Sequence, residues 1–173
     1  MSTQPLKAYA AAIGEALSRS LCLTQFPSQR VDGYYAPEVE VAHEGSELLL
    51  PKIEIRRNAS ESCLIEPSIN SVRISLKLHA GDALEVELVR SYTRFLMQRA
   101  DALRIIRRVP VPGYDVSFLI TAQHLAGPGA RQQLVDWLVE FVMECDAEIN
   151  GLKLDINARG RAVATSLLRS LAF

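Results

Sequence analysis

From Ala130 to Leu171 the sequence holds a single apolar stripe, and that stretch limits what the rest of the chain can be. Its apolar positions are Leu134, Trp137, Leu138, Phe141, Val142, Cys145, Ile149, Leu152, Ile156, Val163, Leu167, Leu168 and Leu171. Most steps are three or four residues, the repeat of one helical face. Pro128 and Gly129 stop whatever precedes it. A helix over this span runs roughly 60 Å. A compact domain of this size has a radius of gyration of about 16 Å. One end of the helix must therefore overhang its own domain. Leucines left bare on that stripe invite association, so the pattern predicts a subunit that buries part of the helix against another chain. The alternative is two helices, with a break near Gly151 or Gly160, since each glycine costs about 1 kcal/mol relative to alanine.

The chain has 173 residues, enough for one domain with a core of its own. Hydrophobic residues make up 49% and charged residues 23%, which is ordinary for a soluble globular protein. The net charge of −1 provides no global field toward nucleic acid or membrane, so local patches must carry any charge-driven binding. Cys22, Cys63 and Cys145 are far apart and odd in number, a pattern of free thiols in a reducing compartment. No apolar run reaches membrane-spanning length, and the N-terminus does not read as a signal peptide. A cytosolic protein is expected.

Ahead of the long helix the pattern alternates between strands and helices. Thr3 to Leu23 reads as a first helix, capped by Thr3, with Pro5 in its first turn and Leu6, Tyr9, Ala10, Ile13, Leu17 and Leu21 on its buried face. Phe26 to Gly33 is loop, and Pro37 to Val41 is a short edge strand or extended arm. Strands are expected at Leu48–Arg57, Cys63–Ile65 and Ser71–Leu78, with turns at Asn58-Ala59-Ser60 and Pro67-Ser68. In the third strand Val72, Ile74, Leu76 and Leu78 face the core, while Ser71, Arg73, Ser75 and Lys77 face water. A helix opens at Gly81-Asp82, with Asp82 and Glu85 in a capping-box pattern, and runs to Ala100. Strands Leu103–Val109 and Tyr114–Thr121 follow, joined by the Pro112-Gly113 turn. The order helix, three strands, helix, two strands, long helix predicts one α+β domain over residues 1–173, two-layered, with a mostly antiparallel sheet.

No catalytic constellation stands out. His43, His79 and His124 are scattered and lack ligand spacing to Cys or Glu. Glu140, Glu144 and Glu148 form one solvated helical ridge. His124-Leu-Ala-Gly127-Pro-Gly129 follows a strand and opens a helix, with spacing that resembles the acyl-coenzyme A loop of N-acetyltransferases. Pro128 removes one of the N–H donors that loop needs, and a plain turn accounts for the same glycines. The sequence therefore predicts no enzyme, no cofactor and no metal site. The basic residues are more informative. Arg107 and Arg108 lie on the fourth strand, and Arg159 and Arg161 lie late in the long helix. They read either as solvated charge or as a basic patch that docks an acidic protein surface.

Three blocks, two of which contain these arginines, carry a resemblance: Ser68-Ile-Asn-Ser-Val-Arg-Ile-Ser75, Arg107-Arg-Val-Pro-Val-Pro-Gly-Tyr-Asp-Val-Ser-Phe-Leu-Ile-Thr121, and Asn157-Ala-Arg-Gly-Arg-Ala-Val-Ala164. With Pro37–Val41, Glu47–Leu50 and Leu64–Glu66, they are similar to the subunit 4 family of the actin-related protein 2/3 complex. The resemblance implies a non-catalytic core subunit of an assembly that nucleates a daughter actin filament on the side of a mother filament. It implies a cytoplasmic protein of the actin cytoskeleton, with no nucleic acid partner and no membrane insertion. It also implies that the long helix pairs with subunit 2 and that both subunits touch the mother filament. Arg107, Arg108, Arg159 and Arg161 are then the expected filament contacts. Leu134, Trp137, Leu138, Phe141, Cys145, Ile149, Leu152 and Ile156 are the expected subunit interface. Two rival readings remain, a homodimeric adaptor using the same helix and an acyltransferase using the glycine loop.

Overall fold

The computed structural model describes residues 4–23, 39, 50–78 and 106–171. Helix α1 (Leu6–Leu23) is followed by strands β1 (Ile53–Arg56), β2 (Ser62–Pro67), β3 (Ser71–Lys77), β4 (Ile106–Arg108) and β5 (Val116–Thr121). A short 3-10 turn over Ala122–Leu125 leads into helix α2 (Ala130–Leu171). The sheet is antiparallel throughout, in the order β1-β2-β3-β5-β4. The chain is α+β, as expected. The helix anticipated over Gly81–Ala100, the Phe26–Gly33 loop, the Thr3 cap and the Pro37–Val41 segment other than Val39 lie outside the described residues.

Register places the apolar side chains in rows. Ile55, Cys63, Leu76 and Val116 are matched across four strands, and Ile53, Ile65, Ile74 and Phe118 form the next row. Alternation puts these rows on one face. Tyr9, Ile13, Leu17 and Leu21 of α1 and Leu134, Leu138, Phe141 and Cys145 of α2 complete the core. Asn58 makes the β1–β2 turn by accepting the N–H groups of Ser60 and Glu61 at 2.7 and 2.9 Å. Gly113 has φ +89° in the β4–β5 turn, and Gly129 has φ +74° just before α2.

The opposite sheet face departs from expectation. It was expected to be wet, yet Ser71, Ser75, Ser117 and Leu119 are all 0% exposed. Small polar groups can be buried when they bond one another. The Ser75 and Ser117 hydroxyls pair across the strands at 2.7 Å, and the carboxylate of Glu66 accepts from Arg73 at 2.6 Å and pairs with Lys52 at 3.0 Å. At the β2–β3 turn the Ser71 N–H donates to the Ser68 hydroxyl at 3.0 Å, and the Ser71 hydroxyl donates to Asn70 at 3.0 Å.

Candidate interaction surface

Helix α2 is continuous over 42 residues, about 63 Å of axis. Neither Gly151 nor Gly160 breaks it. Its two halves occupy different environments. In the first half Leu134, Leu138, Phe141, Val142, Cys145 and Ile149 are buried against the sheet and α1. Phe118 of β5 meets Trp137 edge-on with centroids 5.4 Å apart and Phe141 edge-on at 5.3 Å, while Trp137 stacks on Phe141 at 5.1 Å. Such pairs contribute roughly 0.5–1.5 kcal/mol each beyond their buried area.

An ion cluster fixes the same half. Arg57, at the end of β1, reaches Asp146 of α2 at 2.5 Å and Glu61 at 2.9 Å, and its Nε donates to the Gln4 carbonyl at 3.3 Å. One largely buried guanidinium thus joins the start of α1, the first hairpin and the middle of α2. Sequence reading missed this role, because Arg57 sits where a strand becomes a turn and Asp146 looks like another helix-surface acid. Beside the cluster, Leu6, Tyr9, Val142 and Ile149 line a cavity of about 40 Å³. That is far below the roughly 300 Å³ at which small-molecule sites begin.

Beyond Leu152 the helix leaves the domain. Residues 157–166 are all exposed, and Leu154 and Val163 are each 68% exposed. The interface expected from the sequence therefore divides. Leu134, Leu138, Phe141, Cys145 and Ile149 belong to the chain's own core, and their stripe is already covered by α1 and the sheet. Trp137 and Leu152 are half-buried against that core, and Ile156 is half-buried at the root of the projection. Periodicity alone could not separate the halves, because a helical stripe reads the same whichever surface covers it.

The four arginines do not form one cluster in sequence or environment. Arg159 and Arg161 are exposed on the projecting half. Arg107 and Arg108 lie in β4, opposite Phe118 and Ser117 of β5, and Arg108 is half-buried. The glycine loop before α2 turns in on itself. The Ala130 N–H donates to the Gly127 carbonyl at 3.2 Å and the Gln133 N–H to that of Gly129 at 3.0 Å. His124 accepts the Thr121 N–H on Nδ1 at 2.9 Å, a turn-closing role. Among the described residues no group of three His, Cys, Asp or Glu side chains could hold a metal ion. Burial pushes the Cys63 thiol up to about 12 and raises that of Cys145 as well, so both stay protonated and inert. No described helix is long and apolar enough to cross a membrane.

The family model described as the ARP2/3 complex 20 kDa subunit (ARPC4) matches residues 1–170. The chain belongs to this family. Similarity to individual ARPC4 relatives extends over the same length. The actin-related protein 2/3 complex subunit 4 of Saccharomyces cerevisiae is 46% identical over 171 residues, covering 99% of both chains. The probable subunit 4 of Caenorhabditis elegans is 46% identical over 164 residues, 95% of this chain and 96% of the relative. The Dictyostelium discoideum subunit 4 is 44% identical with the same coverage. Both the buried and the projecting half of α2 fall within the ARPC4 match.

Proposed function

We propose that this chain is a non-catalytic structural subunit of the ARP2/3 complex, working in the cytoplasm on the actin cytoskeleton. In this reading the projecting half of α2 pairs with subunit 2, and the arginines meet the side of the mother filament. The observation that carries it is the division of α2. The first half is committed to the chain's own core, whereas the second presents Leu154 and Val163 to solvent, each 68% exposed. Apolar side chains carried clear of a domain need a second surface to bury them, at about 25 cal/mol per Å². Family membership supplies the complex that would provide that surface.

Co-expression with subunit 2 followed by size-exclusion chromatography tests the pairing. The expected result is a soluble one-to-one heterodimer that the double variant Leu154→Asp, Val163→Asp fails to form. These positions are exposed in the isolated chain, so its own core should survive both changes. A well-behaved monomer or homodimer that ignores subunit 2 would overturn the reading.

A further inference from the structure

Helix α2 leaves the domain over a few residues, and whatever holds it at that exit decides where the rest of it points. Among the described residues Ile149 is its last buried side chain, Leu152 is half-buried, and residues 157–166 are all exposed. Apolar packing is incomplete at this exit. Val142 and Ile149 of α2 face the cavity they share with Leu6 and Tyr9 of α1, and side chains that border a void lose contacts on that side.

The ion cluster beside the cavity supplies what packing does not. Arg57 is tied at its own backbone: its N–H donates to the Glu61 carbonyl and its carbonyl accepts the Gln4 N–H, both at 3.0 Å. The guanidinium is therefore carried on the joined ends of α1 and the first hairpin. From there its Nη1 donates to Oδ1 of Asp146 and to Oε2 of Glu61. Asn58 donates to the same Glu61 oxygen at 3.2 Å, and Asn150, one turn further along α2, donates to Oδ2 of Asp146 at 2.9 Å. The side chains of Arg57, Glu61 and Asp146 are all largely buried. Charge-assisted hydrogen bonds shielded from water are strong and directional, whereas contact between apolar surfaces has no preferred direction.

We propose that Arg57 is a positioning residue for the projecting half of α2: its grip on Asp146, just short of the exit, sets the direction in which the helix leaves the domain. Leverage makes that grip matter. About 28 Å of axis separate Asp146 from Thr165, so a tilt of about 10° at Asp146 moves Thr165 by about 5 Å. One helical turn rises about 5.4 Å. A loosened clamp thus displaces the far residues by nearly a full turn against any surface built to receive them. The clamp acts inside this chain, whatever that surface is.

The test is a distance measurement by pulsed electron paramagnetic resonance on the full chain. Nitroxide side chains are placed at Glu54 of β1 and Thr165 of the projection, both exposed. Arg57→Met should broaden the distance distribution or move its centre by about 5 Å, and Asp146→Ala should do the same. Arg57→Lys, which keeps a charge for Asp146, should give a sharper distribution than Arg57→Met. Glu66→Gln disturbs the other buried charge cluster, on the opposite sheet face, and should leave the distribution unchanged. An unchanged distribution in both Arg57→Met and Asp146→Ala, with each chain folded by circular dichroism, would overturn the clamp. Equal broadening in Glu66→Gln would overturn it too, since the effect would then follow lost stability and not direction. Should Arg57→Met fail to fold, Asp146→Ala decides alone, because it leaves Arg57 its bonds to Glu61 and Gln4.

Discussion

Glu66 is 5% exposed yet carries a charge. Burial pushes its pKa upward, but hydrogen bonds from Arg73 and Lys52 and the charges of both cations outweigh this and hold it below the usual carboxylate value. A carboxylate whose pKa is lower in the folded than in the unfolded chain adds stability above its unfolded value. That stability is lost as pH falls through the folded value. Removing the charge also leaves Arg73 facing a weaker acceptor in a largely buried site. Glu66→Gln should therefore cost about 2 kcal/mol near neutral pH, the scale of a charge-assisted hydrogen bond. The cost should shrink on acidification below about pH 4.5, the unperturbed value for a glutamate. Urea unfolding at several pH values reads this directly. Curves for the two proteins that stay parallel down to strong acid would show that Glu66 contributes no linked stability.

At the scale of elements, the two described helices meet where one of them has no side chain. A Cβ added at Gly14 of α1 would stand 2.9 Å from Cγ2 of Val139 and 3.6 Å from Cγ1 of Val135. Val139 is β-branched and stiff, so it cannot easily swing away. Alanine at this position gains about 1 kcal/mol of helix propensity, but overpacking costs roughly 1–3 kcal/mol. Gly14→Ala should thus destabilise the chain by about 1 kcal/mol. In a Val139→Ala background the same change should stabilise it by a similar amount. A shared sign in both backgrounds would mean the crossing is not limited by this contact. The sequence pattern of the first helix cannot reveal why glycine stands at position 14, because the reason, Val139, lies on another element. The same limit runs through the fold. Alternation in Val72, Ile74 and Leu76 was legible because it records one strand's own faces. The burial of Ser75 and Ser117 was not, because each needs its partner on the neighbouring strand. Likewise, the length of α2 was legible, but the point where it leaves the domain was set by surfaces from β5 and α1.

For the whole molecule, near-zero net charge conceals a division along α2. Residues 131–152 carry Asp136, Glu140, Glu144, Asp146 and Glu148 against Arg131 alone. Residues 153–171 carry Lys153, Arg159, Arg161 and Arg169 against Asp155 alone. Part of that pattern suits the helix itself, since cations near a C-terminus complement its dipole. The dipole fades within a turn, however, and Arg159 and Arg161 lie more than two turns from Leu171. With both side chains exposed, neither is needed to hold the described fold. Their charge is therefore available for orienting a partner and speeding encounter, and this effect should weaken as salt rises. Reversing both, Arg159→Asp with Arg161→Asp, should leave assembly of the complex intact while reducing branch formation on actin filaments. The deficit should be largest at low salt, where screening is least. Branching assays on purified complex across a salt series, beside size-exclusion profiles of the same samples, measure the two effects separately. Collapse of the complex would make these arginines structural, and full branching from an intact complex would remove them from the filament contact.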